Sequence, residues 1–366
     1  MADIFLKEDV RRHFRGKKVM FLGDSIMRNI YQDFVYLLEK GDLTPHSMLR
    51  KKGVQIERFE GDRLVEGTGE LTSGRSYKEI REYKGSGGAM QDFMMATYCF
   101  LTKCYSRELE EFIKEFDRKY GSPDLILILS ALWDINRWGP DGIPNYIKNC
   151  RSFLSLIRRT FPSSTQLIWL TSPPISVDVW GGLVVKGMEF QKRSMRFNVM
   201  EGNIMVAQTT ADFGFDVVDL HYWMTHQIHK RMPDGIHWTQ DAVRLQLNII
   251  LTHYCLARKL ALPGRWGGAR NRPLESAEMI AKAADVGVVE IVRDVDEVGK
   301  RKWAEEDEPP AKKMRMENTQ DSTVKENLED NVGNYSTRSD DRTEDDESED
   351  DGLSAKERRQ QRWSGK

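Results

Sequence analysis

Short runs of aliphatic residues recur along the chain and predict the strands of a buried sheet. Val19–Leu22, Leu125–Leu129 and Gln166–Leu170 are almost wholly apolar, as strands covered on both faces are. Val217–Leu220 predicts the last strand, and Ser76–Tyr83 predicts a further strand that ends at a glycine-rich segment.

Between these runs, apolar residues repeat at helical spacing. The predicted helices cover Ile26–Leu38, Arg107–Tyr120, Tyr146–Thr160, Met188–Ala211 and Thr239–Leu262. Thr239 is placed to cap the last helix. By contrast, the segment Gly41–Gly74 is polar and rich in glycine, which predicts a long loop with little regular structure.

Alternating strands and helices predict an α/β fold, a three-layer α/β/α sandwich with a mostly parallel sheet. We expect this domain to cover residues 17–262, followed by a C-terminal extension at 263–299. Residues 300–366 are strongly charged and poor in apolar side chains, which predicts a disordered tail. Ligands of such folds bind beyond the carboxyl ends of the strands.

The composition excludes several classes of protein. The formal net charge of the 366 residues is −2, which gives no support for nucleic-acid binding. No apolar run reaches the length of a membrane span. The N-terminal segment lacks the apolar core of a signal peptide. The four cysteines have no zinc-site spacing and lie among apolar residues, as free thiols do (Cys99, Cys104, Cys150 and Cys255). We therefore expect an intracellular protein without a metal or cofactor.

Ser25 lies directly after the first predicted strand and directly before a helix. Its backbone N–H and the helix dipole would favour a negative charge developing beside it. A serine in this position is a candidate nucleophile, provided that a base removes its proton. The alternative is that Ser25 only caps the helix.

Asp234 and His237 form an Asp-x-x-His turn between the last strand and the last helix. A serine nucleophile needs a histidine base, and that histidine needs a carboxylate to fix its tautomer. One tight turn would deliver both groups to the sheet edge that carries Ser25. The alternatives are a surface turn with an incidental histidine, or a different base from the neighbouring stretch (His221, His226 or His229).

Two motifs resemble those of a known family. The segment Gly23-Asp24-Ser25-Ile26-Met27-Arg28-Asn29 resembles the GDSxxRN block of the PC-esterase branch of the SGNH (GDSL-like) hydrolase superfamily, and Asp234–Trp238 resembles its DxxHW block. Phe100–Ser106 and Leu132–Arg137 are similar to the animal PC-esterase domain-containing protein 1 group. The resemblance covers roughly residues 17–262.

The resemblance implies acyl-ester chemistry, with Ser25 as nucleophile, His237 as base and Asp234 as its orienting acid. It also implies an oxyanion hole made by the Ser25 N–H, a glycine N–H and an asparagine side chain. Gly87 is the preferred glycine, with Gly85 and Gly88 as alternatives. The Gly-x-Asn-Asp expected after the middle strand is absent, so either Asn136 or the Trp133 indole replaces its asparagine, or the site is weak.

Four residues of the two motifs are candidates for substrate binding or for bracing the loops: Asp24, Arg28, Asn29 and Trp238. Arg28 could instead form a structural ion pair with Asp24 or Asp134. Trp133 and Trp138 could equally serve packing.

Two functional hypotheses follow. The first is a serine esterase that hydrolyses or transfers an acyl group of a small molecule, lipid or glycan. The second is a weakly active or inactive relative that uses the same fold as an intracellular binding or scaffold module. The basic clusters Lys300–Lys302 and Lys312–Arg315 resemble a nuclear-import signal. The charged tail could bind protein partners, or could simply be solvated.

Overall fold

A computed structural model describes residues 2–49, 61–67, 77–85, 94–138, 140–179, 183 and 189–265. At its centre lies a seven-stranded sheet with the order β2-β3-β4-β1-β5-β6-β7. The strands are β1 (Lys18–Gly23), β2 (Asp62–Gly67), β3 (Glu79–Lys84), β4 (Met95–Phe100), β5 (Leu125–Leu129), β6 (Gln166–Leu170) and β7 (Asp216–Val218).

The five strands from β4 to β7 in this order are parallel, whereas β2 and β3 join one edge in antiparallel pairing. The central strand β1 pairs with β4 on one side and with β5 on the other, so that Gly23 lies beside both Phe100 and Leu129. Because parallel strands end at one edge, the loops after β1, β4, β5, β6 and β7 meet there. This is the edge at which α/β folds bind ligands.

Helices cover both faces of the sheet. The α-helices are α1 (Lys7–Phe14), α2 (Ser25–Lys40), α3 (His46–Leu49), α4 (Arg107–Tyr120), α5 (Leu132–Arg137), α6 (Gly142–Thr160), α7 (Met195–Asp212), α8 (Leu220–Thr225) and α9 (Gln240–Ala257). Alternate side chains of β1 enter different cores, since Phe21 packs with α2 and α9 while Leu22 packs with α4 and α6. The mostly parallel sheet between two helical layers confirms the predicted fold class.

The strands Leu125–Leu129 and Gln166–Leu170 and the helix Arg107–Tyr120 have the predicted bounds. The prediction of a long loop over Gly41–Gly74 was wrong in part, because α3 and β2 fall within it. The strand β2 has only one buried residue, and it gains its hydrogen bonds as an edge strand beside β3. Its sequence therefore lacks the apolar alternation by which strands are found.

Several other bounds differ, two of them for a local reason. Helix α7 begins at Met195 rather than Met188, and the last strand ends at Val218, because Asp219 caps α8 through the N–H of Tyr222. Thr239 occupies the cap position of α9, but its hydroxyl bonds Asp241 instead of a backbone N–H. In the part of the chain that the structure describes, no helix is both long and apolar enough to span a bilayer.

Candidate active site

Ser25 is the first residue of α2, and the tight junction between β1 and α2 fixes its position. Asp24 caps the helix by accepting a hydrogen bond of 2.9 Å from the N–H of Ile26. A Cβ on Gly23 would lie 2.5 Å from the carbonyl oxygen of Leu129 and 2.6 Å from Cβ of Met27. Only glycine therefore fits where the strand passes into the helix, and Ser25 emerges at the end of the central strand.

The Ser25 hydroxyl contacts His237, which lies 212 residues further along the chain. Its Oγ is 2.7 Å from Nε2 of the imidazole. The other ring nitrogen, Nδ1, is 2.7 Å from Oδ2 of Asp234. Because a carboxylate only accepts hydrogen bonds, the neutral ring carries its proton on Nδ1 and turns the Nε2 lone pair toward Ser25.

The turn that carries Asp234 and His237 is held by its own backbone. Oδ1 of Asp234 accepts hydrogen bonds of 2.9 Å from the N–H groups of both Ile236 and His237. Gly235 has a φ of +79°, and a Cβ on it would lie 2.7 Å from Cβ of Ser176 and 2.9 Å from the carbonyl oxygen of Asp178. The turn thus has a left-handed residue and packs directly on the loop after β6.

Electrostatics keep the acid of this pair ionised. Partial burial alone would raise the pKa of Asp234, but the hydrogen bonds from the His237 ring and from the two backbone N–H groups hold it well below its usual range. The side chains of His237 and Asp234 are 32% and 39% exposed, so the pair lies at an accessible edge. A small molecule can therefore reach it.

Asp24 has a different environment, although it adjoins Ser25. Burial raises its pKa to about 6, against the lowering effect of the Ile26 N–H and of nearby His237 and Arg28. Its side chain is directed to the helix cap. This contact favours a bracing role over contact with substrate.

Arg28 does not form the ion pair with Asp24 or Asp134 that the sequence left open. Its Nη1 instead lies 3.0 Å from Oε2 of Glu79 on β3, and both side chains are almost fully buried. The Tyr77 hydroxyl donates to the same carboxylate oxygen at 2.7 Å. The reason for the different partner is the antiparallel strand β3, which brings Glu79 level with the end of β4 and hence beside the first turn of α2.

A second brace comes from β4. The Tyr98 hydroxyl donates to the carbonyl oxygens of Asp24, at 3.1 Å, and Gly23, at 3.3 Å. Sequence reasoning missed both Glu79 and Tyr98. The register between distant strands decides these contacts, and the sequence carries no local signal of that register.

The segment after β5 holds its polar groups in internal contacts. Asp134 accepts a hydrogen bond from the Ser130 hydroxyl, its two oxygens share the single N–H of Cys104, and burial raises its pKa to about 6. The Asn136 amide donates to the carbonyl oxygen of Leu132 at 2.7 Å and is fully buried. This bond uses one of the two amide N–H groups, and the complete burial of Asn136 keeps the other from substrate unless the segment rearranges.

Trp133 is 7% exposed and packs with its ring against other side chains. Phe100 meets it edge to face at 5.2 Å, and the Arg137 guanidinium lies over it at 3.4 Å. Trp138 donates its indole N–H to the carbonyl oxygen of Thr102. Both indoles therefore make structural contacts, Trp133 by packing and Trp138 through its N–H.

Of the three glycines proposed for the oxyanion hole, Gly85 lies within the described residues. Gly87 and Gly88 lie outside the described residues, whereas Gly85 donates its N–H to the carbonyl oxygen of Met94 and is thus engaged in the sheet. Asn29 and Trp238 are buried, at 4% and 2% exposure. Both carry a polar atom without a hydrogen-bond partner, Oδ1 and Nε1 respectively.

The alternative histidines point elsewhere. His221 lies with Nδ1 2.9 Å from the carbonyl oxygen of Ser172, and His226 packs on the ring of Tyr222. His229 is exposed, in a short 3₁₀ turn. Of the described histidines, His237 is the one that bonds a serine hydroxyl and an aspartate at once. No group of three or more potential metal ligands occurs within the described ranges.

All four cysteines are buried and unpaired, as predicted. Burial raises the pKa of Cys99, Cys150 and Cys255 to about 12. These thiols are therefore unreactive at neutral pH.

Comparison with known proteins reveals close sequence relatives. The chain is 36% identical to human PC-esterase domain-containing protein 1A over 71% of its own length and 56% of the relative's. It is 33% identical to human PC-esterase domain-containing protein 1B, over 70% and 58% of the two chains. The chain thus matches little more than half the length of these relatives. No protein-family model matches it.

Solved structures with a related chain path include an acetylxylan esterase from Geobacillus stearothermophilus. It is 12% identical with a TM-score of 0.35, over 65% of this chain and 93% of that one. A likeness of this degree says nothing about the reaction.

Proposed function

Because this chain is homologous to PC-esterase domain-containing proteins 1A and 1B, we propose that it is a serine acyl-ester hydrolase. In this proposal Ser25 is the nucleophile, His237 the general base and acid, and Asp234 the group that orients His237. The reaction needs no cofactor or metal, and the substrate is an acyl ester of a small molecule, lipid or glycan.

One observation carries the proposal. The Ser25 hydroxyl, the His237 ring and the Asp234 carboxylate form an unbroken chain of two 2.7 Å contacts. The distances are those expected between a nucleophile, its base and the base's orienting group. Their origin in the loops after the first and last strands makes an incidental surface turn a poor explanation.

The chemistry follows from this geometry. Ser25 Oγ attacks the carbonyl carbon of the ester while Nε2 of His237 takes its proton, and the resulting imidazolium is stabilised by Asp234. The tetrahedral intermediate collapses as His237 returns the proton to the departing alcohol oxygen, leaving an acyl-Ser25. Water, deprotonated by His237, then attacks the acyl carbon, and the carboxylic acid is released as His237 returns the proton to Ser25 Oγ.

The developing oxyanion needs hydrogen-bond donors. The N–H of Ser25 is the first candidate, since the first residues of a helix have no intrahelical acceptor and lie at the positive end of its dipole. Gly87 is the proposed second donor. Asn136 or Trp133 would supply the third only after a local rearrangement, and a missing donor costs roughly 10²–10³-fold in kcat.

Hydrolysis of p-nitrophenyl acetate by purified protein tests the proposal. We expect turnover by the wild type and a rate indistinguishable from background in Ser25→Ala. A third variant, Ser172→Ala, is the matched control, because Ser172 also follows a strand of the sheet but its hydroxyl, which is buried, contacts no base. Equal rates in all three proteins would contradict the assignment.

A non-enzymatic role is the second candidate function. It is favoured by Asn136, whose amide is bound within its own helix, and by the absence of the expected Gly-x-Asn-Asp. In that case the fold would serve as a binding module, with the charged tail carrying protein contacts. Wild-type protein that is folded but inactive toward every acyl ester tested would support it.

A further inference from the structure

The outer face of α7 exposes an unusual number of large apolar side chains. Phe197, Met200 and Ile204 are 56%, 43% and 70% exposed. They lie at positions i, i+3 and i+7, which is one stripe of a helix surface. An exposed stripe of this kind marks an interaction site when it is contiguous with further apolar surface.

Helix α8, which contacts α7, exposes further aromatic residues. The side chain of Asn203 on α7 lies 3.1 Å from Nδ1 of His221 on α8, so the two helices are adjacent. The residues that follow His221 are Tyr222 and Trp223, which are 58% and 39% exposed and pack edge to face. Tyrosine and tryptophan combine an apolar ring with a polar tip, and they are enriched where an apolar phase meets water.

The surface lies at the edge of the sheet that holds the candidate active site. Asn203 bonds both backbone groups of Ser172, in the loop directly after β6. The other end of the same loop contacts the Asp234–His237 turn, where Ser176 donates its N–H to the carbonyl oxygen of Gly235. Helix α7 and the Asp234–His237 turn therefore contact the same loop.

The charges around the stripe are mainly basic at its N-terminal end. Lys192, Arg193 and Arg196 are exposed, and Arg196 lies over the ring of Phe197 at 4.7 Å. The acidic residues nearby are Glu189 and Glu201. A stripe of apolar side chains with basic residues at one end matches an anionic lipid surface, in which the rings enter the interface and the cations meet the headgroups.

We propose that the face formed by Phe197, Met200, Ile204, Tyr222 and Trp223, with its basic end at Lys192–Arg196, docks on anionic bilayers. The preference for lipid over a protein occupant rests on the proposed function. A bilayer seated on this face would present acyl esters near His237, and its anionic headgroups would meet the basic residues at Lys192–Arg196. The binding itself requires no catalysis.

Sedimentation of full-length protein with vesicles tests the proposal. Vesicles of phosphatidylcholine with phosphatidylserine should bind the wild type and also Ser25→Ala, so that a failure of the esterase assignment leaves this readout unchanged. Vesicles of phosphatidylcholine alone should bind more weakly, and added salt should weaken the binding to anionic vesicles.

Two sets of variants separate the apolar and the charged contributions. Phe197→Ser with Ile204→Ser should reduce partitioning at least tenfold, whereas Val65→Ser with Leu256→Ser, which are exposed apolar residues elsewhere, should not. Replacing Lys192, Arg193 and Arg196 by Gln should reduce it about fivefold for each charge removed. The same replacement of Arg12, Lys40 and Lys259 is the control.

Binding that is absent, or equal in the variants and their controls, would overturn the proposal. Gel filtration then distinguishes the remaining occupant. A dimer that Phe197→Ser with Ile204→Ser converts to a monomer would assign this face to a second copy of the chain and likewise overturn the lipid proposal.

Discussion

The Asp234 carboxylate does two separate tasks with its two oxygens. Oδ1 closes the turn by accepting the N–H groups of Ile236 and His237, while Oδ2 faces Nδ1 of the imidazole. Turn geometry and tautomer are therefore set by a single side chain. A substitution that changes the contact with the imidazole but keeps the contacts with the turn therefore tests the two tasks separately.

Asp234→Asn makes that separation. The amide oxygen can still accept the two backbone N–H groups, but its NH₂ facing Nδ1 would favour the tautomer with the proton on Nε2. That ring cannot accept the Ser25 proton, and the corresponding change in a serine protease lowers kcat by about 10⁴. We expect a loss of roughly this size in ester hydrolysis by a variant that remains folded, and activity within tenfold of wild type would contradict the role of Asp234.

The raised pKa of Asp24 can be tested through the pH dependence of the free energy of unfolding. Because burial raises its pKa from 3.8 to about 6, the folded state holds the proton more tightly than the unfolded chain. The unfolded chain therefore releases this proton first as the pH rises, and stability falls between about pH 4 and about pH 6. Two pKa units correspond to about 3 kcal/mol at most.

Asp24→Asn removes this titration while keeping a side chain that can cap α2. The free energy of unfolding of the variant should lose less than that of the wild type between about pH 4 and about pH 6. Urea titrations of both proteins at the two pH values measure the difference. Parallel pH profiles would contradict a raised pKa at Asp24.

At the scale of elements, the Asp234–His237 turn depends on Gly235. Alanine there would be strained by the φ of +79° and would also approach the Ser176–Asp178 backbone too closely. Gly41, at the C-terminal cap of α2, has nearly the same φ of +76°, but a Cβ there meets nothing closer than 3.5 Å. The two glycines therefore share a backbone conformation but differ in how closely neighbouring atoms would approach an added Cβ.

We predict that Gly41→Ala costs about 1 kcal/mol of stability and leaves ester hydrolysis unchanged. Gly235→Ala should cost more stability than Gly41→Ala and lower kcat at least tenfold, since His237 is displaced. Thermal unfolding and kinetics of the two variants check this. Equal effects of the two changes on kcat would contradict a positioning role for the turn.

The sequence could predict those strands and helices that carry their own periodicity. Aliphatic runs such as Leu125–Leu129 and the amphipathic helix Arg107–Tyr120 carry their own periodicity, so their bounds followed directly. The loop sites of Ser25 and His237 followed from the rule that parallel strands end at one edge. The partner of Arg28 could not be predicted, because Glu79 reaches it through an antiparallel edge strand whose register no local pattern encodes.

At the scale of the whole molecule, the sheet is covered by more chain than the sequence-predicted domain of residues 17–262. Phe5, Val10 and Phe14 precede that domain, and all are fully buried in the core beside α2 and α9. Asp3 accepts the N–H groups of Gly264 and Arg265, which connects the two ends of the described region. We therefore propose that the folding unit includes at least residues 2–265.

A fragment of residues 17–262 should accordingly be less stable than one of residues 2–265. The loss of three buried apolar side chains corresponds to about 5 kcal/mol. Chemical denaturation of the two fragments tests this, with the full chain as the control that should match the longer one. Equal midpoints for the two fragments would contradict a structural role of α1.

The remaining roles of the chain concern regions outside the described residues. The import-like clusters Lys300–Lys302 and Lys312–Arg315, and protein contacts by the charged tail, stay predictions. We expect the full chain in the cytoplasm and in nuclei. Replacing Lys312 and Lys313 by Gln should remove it from nuclei, which microscopy can measure. Unchanged distribution would contradict the import signal.

Labelling by a fluorophosphonate probe tests the central assignment most directly, because the probe reacts with a serine only when a base activates it. We predict labelling of the wild type that maps to Ser25. Labelling should be absent in Ser25→Ala and strongly reduced in His237→Ala. No labelling of folded wild-type protein, or labelling that persists in Ser25→Ala, would contradict the assignment.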